Sequence, residues 1–184
     1  MKSKAPSSGP PAGFRYGADL LSPDEERELV ERIQGLPLRE FEFHGYLGKR
    51  RVISYGWHYS FGAGTLRRTD EVPAFLLPLQ EKAASFAEVA ATDLAHALVT
   101  EYSPGTAIGW HRDKKVFGDV VGISLRSSCV FRLRRKSGST WERYSLIAEP
   151  RSAYLLRGSA RTAWEHSIPA VDGLRYSITF RRLR

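Results

Sequence analysis

The stretch Arg175-Tyr176-Ser177-Ile178-Thr179-Phe180-Arg181 is the most informative segment of the chain for the fold. Polar and apolar residues alternate strictly along it, and successive side chains of a β-strand point to opposite faces. One face of this strand therefore carries only polar side chains, namely Arg175, Ser177, Thr179 and Arg181. An ordinary surface strand alternates in the same way, so the polar face either meets solvent or lines a cavity.

Short alternating segments fill the chain beyond about residue 94, separated by turns rich in Gly, Pro and Ser. They lie at 97–102, 107–110, 120–125, 129–133, 143–147, 152–156 and 175–180. Many short strands at nearly regular intervals are typical of a sandwich or jelly roll. Two helical segments come first, one running from the capping Ser22 to about Gln34 and one at 74–91, where Pro78 predicts a separate or kinked first turn.

These patterns predict an α+β fold with helices packed on one sheet. Residues 1–13, rich in Lys, Ser, Pro, Gly and Ala, are expected to form a disordered lead. Residues 14–184 are expected to form a single domain, because neither an interdomain linker nor an internal repeat interrupts them.

Composition limits the classes of function. The net charge of +8 and the pI near 9.8 predict a surface that attracts polyanions, although a solvated positive face explains the same charge. The sequence contains no apolar run of eighteen residues, so no membrane span is expected, and no obligate protein partner is evident. The single cysteine, Cys129, fits a small core residue and a cytoplasmic location.

Three residues form a candidate metal site. His111 and Asp113 are two positions apart and share one face of a strand, and His166 follows about fifty residues later on another strand. Two histidines and one carboxylate leave adjacent coordination positions open, which suits non-haem iron(II). The alternative is that these are hydrogen-bonded structural histidines, the class in which we place the other three, His44, His58 and His96.

Arg175 is a candidate anchor for an acid bound at that metal. It lies nine residues beyond His166, across the turn at 169–173, and a hairpin between the two strands would point both side chains into one pocket. A guanidinium binds a carboxylate in a bidentate manner that lysine cannot reproduce. Tyr102 precedes a Ser-Pro-Gly turn and could reach the same carboxylate, although tyrosine is more often a core residue.

The order and spacing of these motifs resemble the AlkB family of iron/2-oxoglutarate dioxygenases. The resemblance covers about residues 98–182 and extends more loosely to Tyr55-Gly56 and Tyr59-Ser60. It implies a double-stranded β-helix (jelly roll) with N-terminal helices on one sheet, and a reaction that uses Fe(II), 2-oxoglutarate and O2. It also implies which residues bind these groups: His111, Asp113 and His166 for iron, and Arg175, Arg181 and Tyr102 for 2-oxoglutarate.

Two positions depart from the family pattern. Thr100 and Ser177 stand where the founding pattern has Asn, and since both can still hydrogen-bond we retain them as contacts of 2-oxoglutarate. Repair-type members oxidise N-methyl groups on bases such as 1-methyladenine and 3-methylcytosine, releasing formaldehyde, succinate and CO2. Alkylated DNA or RNA is therefore the expected substrate. The alternative is an oxygenase acting on a protein or a small molecule.

Several basic and aromatic residues are candidates for contact with nucleic acid. Trp57 and Tyr59 could stack on an extruded base or lie in the core, while Arg50, Arg51 and Lys114 could meet phosphates or only solvent. A second basic cluster could be a phosphate track or the exposed face of a hairpin that turns at Ser137-Gly138, and it consists of Arg132, Arg134, Arg135 and Lys136.

Overall fold

The computed structural model of the protein describes residues 9–43, 46–60 and 62–184. Thirteen β-strands and three α-helices lie within these ranges. The helices are α1 (Pro23–Gln34), α2 (Leu77–Ala87) and α3 (Gly158–Thr162). None of the helices in the described ranges has the length and apolar character needed to cross a membrane.

The strands form two large antiparallel sheets and a hairpin. The larger sheet has the order β1 (Phe14–Gly17), β11 (Ala153–Leu156), β8 (Phe117–Leu125), β13 (Arg175–Leu183), β6 (His96–Tyr102), β3 (Tyr46–Tyr55) and β2 (Arg39–Phe43). The smaller sheet has the order β10 (Thr140–Ala148), β9 (Cys129–Ser137), β12 (Glu165–Ile168) and β7 (Ile108–His111). The hairpin joins β4 (Trp57–Ser60) to β5 (Thr65–Arg68).

The apolar face of β13 is covered by the N-terminal helices. Tyr176, Ile178 and Phe180 belong to one buried cluster with residues of α1 and α2, among them Leu29, Ile33, Leu79 and Ala83. A second buried cluster fills the space between the sheets and includes Phe131, Leu133, Leu156 and Trp164. This layering confirms the predicted fold class, a jelly roll with helices packed on one sheet.

Both predicted helices are present, with boundaries set by local chemistry. Ser22 and Glu25 form a capping box at the start of α1, as the sequence predicts. The segment predicted at 74–91 divides into a 3-10 turn (Ala74–Leu76) and α2, because Pro78 can occupy only the first turn of a helix. The helix ends at Ala87, earlier than expected, since Glu88 adopts a left-handed conformation with φ of 56°.

Two expectations differ from the structure. The strands of His166 and Arg175 do not pair as a hairpin: β12 lies between β9 and β7 in the smaller sheet, whereas β13 lies between β8 and β6 in the larger one. The chain crosses from one sheet to the other between them. Residues 1–8 of the expected lead lie outside the described residues. Ala12 and Gly13, by contrast, accept backbone hydrogen bonds from Ala160 and Arg157 and so belong to the folded part.

Close packing at Gly122 on β8 generates a prediction. A Cβ at this position would overlap the ring of Tyr154, its register partner on the neighbouring strand β11. We expect Gly122→Ala to lower the free energy of unfolding by about 1–3 kcal/mol, because overpacking of a buried site forces neighbouring groups to shift. Urea denaturation measures the change. Gly35→Ala is the control, since a Cβ there meets only ordinary van der Waals contact, and an equal effect of both substitutions would contradict the argument.

Candidate metal and 2-oxoglutarate site

The structure brings together the three predicted metal ligands. One ligand atom each from His111, Asp113 and His166 lies within 4.8 Å of the other two. His111 on β7 and His166 on β12 are directly opposite each other in the antiparallel pair, with ring centroids 4.2 Å apart. Asp113 lies two residues beyond the end of β7, and so is not on the strand where the sequence predicts it, but its carboxylate still completes the group.

Local hydrogen bonding directs one histidine nitrogen toward this group. The carbonyl oxygen of Gly109 lies 2.8 Å from Nδ1 of His111, so that Nδ1–H donates to it and Nε2 is left as the lone-pair nitrogen. Fixing the tautomer in this way is the usual arrangement for a histidine that binds a metal.

Burial and neighbouring charges set the protonation of the three residues. Burial, reinforced by the adjacent His111, lowers the pKa of His166 to about 3, and burial also lowers the pKa of His111. Burial alone would raise the pKa of Asp113, but the positive Arg181 and then the two histidines outweigh it and hold that pKa below its usual value. At neutral pH the group is thus two neutral imidazoles and one carboxylate, the state that a divalent cation requires.

Arg175 lies in the larger sheet and faces the same interior. Its side chain is only 1% exposed, and Nε and Nη2 donate to the Ser124 hydroxyl at 3.2 and 2.7 Å. Its Nη1 is buried and has no hydrogen-bond partner among the described residues. A buried guanidinium with an unused donor is costly unless an anion completes it, so this arrangement is suited to binding a carboxylate.

The remaining predicted 2-oxoglutarate contacts lie on the polar face that β13 shares with β6. Tyr102 is its register partner on β6, with the guanidinium carbon 4.9 Å from the phenol ring centroid. Ser177 pairs with Thr100 across the same two strands, and both are buried. Arg181 approaches the metal group, with Nε 3.4 Å from Oδ2 of Asp113.

Sequence analysis missed two residues that line the same interior. Ser124 on β8 is the hydrogen-bond partner of Arg175, and Tyr154 on β11 stacks on Phe131 with centroids 4.4 Å apart. Burial, with the nearby Tyr102, raises the pKa of Tyr154, so its hydroxyl stays protonated and available as a donor. The sequence does not show that β8 lies next to β13 and that β11 lies next to β8, so only the sheet order places Ser124 and Tyr154 near Arg175.

A third missed residue, Arg161 on α3, secures the segment that follows Asp113. It is 5% exposed and donates to the backbone carbonyl oxygens of Lys114, Phe117 and Gly118 at 2.6–2.9 Å. A buried arginine that satisfies three carbonyls holds this segment in one conformation. The signal in the sequence was an arginine in the middle of the small, uncharged residues at 158–163.

The predicted substrate residues separate into two groups. Arg51 forms a bidentate pair with Glu101 at 2.8 and 2.9 Å on the helix-covered side of the sheet, so its side chain points away from the metal group. Arg50 points to the opposite side because neighbouring strand residues alternate. Burial, and repulsion from the nearby Arg181, lower the pKa of Arg50, which also interacts with Asp113.

Each of the two aromatic candidates, Trp57 and Tyr59, has a cationic side chain over its ring. The Lys114 ammonium lies 5.6 Å from the Tyr59 ring centroid, and the Arg68 guanidinium lies 5.3 Å from that of Trp57. Both aromatic residues are half-buried on one face of β4. Since Lys114 directly follows Asp113, its contact with Tyr59 places the hairpin of β4 and β5 next to the metal group.

Comparison with known proteins gives a consistent result. A family model described as the 2OG-Fe(II) oxygenase superfamily matches residues 13–181. The "Alkylated DNA repair protein ALKBH8 homolog" of Arabidopsis thaliana is 34% identical over 147 residues, covering 67% of this chain but only 42% of that relative. "Uncharacterized protein L905" of Acanthamoeba polyphaga mimivirus is 25% identical over 194 residues, covering 93% of this chain and 85% of L905. The structure of OsALKBH1 matches with a TM-score of 0.72 at 15% identity, covering 96% of this chain and 100% of that one.

The chain belongs to the 2OG-Fe(II) oxygenase superfamily. Within that superfamily it is an AlkB-like Fe(II)/2-oxoglutarate-dependent dioxygenase, which confirms the resemblance found in the sequence. Its cofactors are Fe(II), 2-oxoglutarate and O2, and the structure fits them in two respects. A His-Asp-His group is assembled, and a buried arginine nearby offers an unused donor to a carboxylate.

Removing the carboxylate of the metal group tests the assignment of ligands. We expect Asp113→Ala to abolish both iron binding and the conversion of 2-oxoglutarate to succinate, because two histidines alone provide neither the third ligand nor its negative charge. Metal titration and succinate measurement report the two losses separately. The control is Asp172→Ala, which removes an exposed carboxylate and is expected to behave like the wild type. Retention of most activity by the Asp113 variant would eliminate the proposed triad.

Replacing the buried guanidinium tests the carboxylate anchor. We expect Arg175→Lys to raise the KM for 2-oxoglutarate about tenfold or more, because lysine cannot bond both Ser124 and a carboxylate in the same plane. Arg182→Lys is the matched control, since this neighbour on β13 is exposed. Steady-state kinetics with varied 2-oxoglutarate give the KM of each variant. An unchanged KM in Arg175→Lys would show that Arg175 is not the anchor.

Proposed function

We propose that this protein removes N-linked methyl groups oxidatively from bases of DNA or RNA, releasing formaldehyde, succinate and CO2. The observation that carries the proposal is the set of basic and aromatic side chains beside the metal group, formed by Arg50, Tyr59 and Lys114. Aromatic rings stack on an extruded base, and cations contact the phosphates that flank it. The name of the Arabidopsis relative, an alkylated DNA repair protein homolog, points to the same class of substrate.

The residues of this chain divide the work. His111, Asp113 and His166 would hold the iron, while Arg175 and the tyrosine hydroxyls nearby would bind and orient the distal carboxylate of 2-oxoglutarate. When bound, iron, 2-oxoglutarate and O2 supply the oxidising power. The protein contributes positioning and the exclusion of water, since the interior between the sheets is packed with apolar residues.

Arg181 lies between the metal ligand Asp113 and the buried His96. Its Nε lies 3.4 Å from Asp113 and its Nη1 lies 3.4 Å from Nδ1 of His96, a histidine that we placed in the structural class. Burial, with repulsion from Arg181, lowers the pKa of His96 well below its ordinary value, so this ring is neutral and can accept from the guanidinium. The positive charge next to Asp113 keeps the carboxylate ionised and also favours an anionic 2-oxoglutarate.

A cytoplasmic location forms part of the proposal. Cys129 is buried, and burial raises the pKa of its thiol, which leaves it protonated and of low reactivity. A structural cysteine of this kind fits a reducing compartment.

A survey of substrates tests the proposal. Succinate, formaldehyde and oligonucleotide mass are measured with DNA and RNA containing 1-methyladenine or 3-methylcytosine, and with a pool of methylated peptides. We expect loss of one methyl group from a nucleic acid, matched by formaldehyde. Turnover confined to peptides, or to 2-oxoglutarate without any change in nucleic acid, would overturn the proposal in favour of the protein or small-molecule alternative.

Two adjacent lysines allow a sharper version of this test. Lys114 contacts Tyr59 next to the metal group, whereas Lys115 is exposed. We expect Lys114→Gln to raise the KM for a methylated oligonucleotide several-fold and Lys115→Gln to leave it close to that of the wild type. Equal effects would show that general positive charge, and not the position of Lys114, determines binding.

A further inference from the structure

The outer face of the smaller sheet carries a row of alternating tryptophan and arginine side chains that the metal site does not use. The Arg134 guanidinium carbon lies 4.3 Å from the ring centroids of both Trp110 and Trp141, and that of Arg132 lies 5.0 Å from Trp110. We name these four residues the Trp/Arg row. They come from β7, β9 and β10, so the row runs across the sheet.

Stacking fixes these guanidinium groups without using up their donors. An arginine stacked on an aromatic ring presents its flat face to the ring, and its N–H groups point outward in the guanidinium plane. Arg132 donates through Nε to Ser167 at 3.0 Å, and Arg134 donates through Nε to Glu165 at 2.7 Å. The arginines are therefore held in place before any ligand arrives, which reduces the entropy that binding must overcome.

The charge of this face is strongly one-sided. The described outward positions of β7, β9, β10 and β12 hold one carboxylate, Glu165, which is paired with Arg134, and a second, the exposed Glu149, directly follows β10. Cations at outward positions of these strands, or directly after them, are Arg112, Arg132, Arg134, Lys136 and Arg143. Such a surface complements a polyanion, and its two half-buried tryptophans distinguish it from a merely solvated basic face.

The face is also continuous with the metal site. Along β7 the side chain of His111 points inward to the metal group, while the neighbouring Trp110 points outward to the Trp/Arg row. β7 is the edge strand of the smaller sheet. A nucleic-acid strand whose target base enters between the sheets therefore needs to cross only β7 to reach the outer face.

We propose that the outer face of the smaller sheet, centred on the Trp/Arg row, binds the sugar-phosphate backbone of the nucleic acid that flanks the target base. This inference rests on the proposed function, because it assigns a binding surface to the backbone of the same nucleic-acid substrate. The binding is independent of sequence and sensitive to salt, and it holds a long strand more tightly than a short one.

The experiment measures how the affinity for an unmethylated single-stranded oligonucleotide depends on salt. Fluorescence anisotropy is recorded with a labelled strand of about fifteen nucleotides, long enough to span the sheet. We expect the slope of log K against log salt to become shallower by about 1.4 in the double variant Arg132→Gln/Arg143→Gln, since each lost phosphate contact on a single strand contributes about 0.7. The matched control Arg27→Gln/Arg32→Gln removes two exposed charges from α1, on the far side of the larger sheet, and is expected to keep the wild-type slope.

A second double variant guards against loss of folding. Lys136→Gln/Arg143→Gln changes two exposed residues and leaves the Trp/Arg row intact, and we expect a similar change in slope. Identical slopes in the α1 control and in the two double variants of the outer face would overturn the proposal. An equal loss of affinity for labelled polyglutamate would overturn the assignment to nucleic acid and indicate an acidic protein partner.

The outcome separates this proposal from the proposed function. If the wild type releases no formaldehyde from methylated strands but the slope changes as expected, the function proposal fails and the binding face stands. If formaldehyde forms and the slope is unaltered, the binding face is wrong and base oxidation stands.

Discussion

The Arg175 guanidinium is a full positive charge held between two sheets, where the hydroxyl of Ser124 is its hydrogen-bond partner. Burying an unpaired charge costs several kcal/mol, so an interior of this kind is stable only when other features of the fold compensate. The compensation comes from the opposite face of the same strand, where Tyr176, Ile178 and Phe180 are buried against the helices. One face of β13 thus stabilises the fold, and the other face carries the charge that the site requires.

The histidines depend on the same two-sheet arrangement. His111 and His166 pair within the smaller sheet, and the larger sheet supplies Arg181 to the carboxylate beside them. Each sheet therefore provides half of the chemistry, the metal ligands from one and the acid anchor from the other. Packing between the sheets, through residues such as Phe131 and Leu133, sets the distance between the halves.

Much of this arrangement could be predicted from local patterns. Alternation along 175–181 assigned each residue to its correct face, and capping at Ser22 placed α1. The pairing of β12 could not be predicted, because the sequence does not show whether a turn joins two strands of one sheet or crosses between sheets. Alternation also places Arg50 and Arg51 on opposite faces of β3, but it could be applied there only once the bounds of β3 were known. Ser124 and Tyr154 were missed since their contacts with the site come from strands distant in the sequence.

Arg161 has a consequence for how the protein exchanges its ion. The three carbonyls that it bonds lie in the segment directly after Asp113, so that segment is already ordered by groups belonging to the protein. Uptake of a cation then carries little cost in backbone entropy. Departure of the cation likewise leaves a scaffold that keeps its shape. We therefore expect a chelator to remove bound iron without unfolding the protein, and added Fe(II) to restore the site.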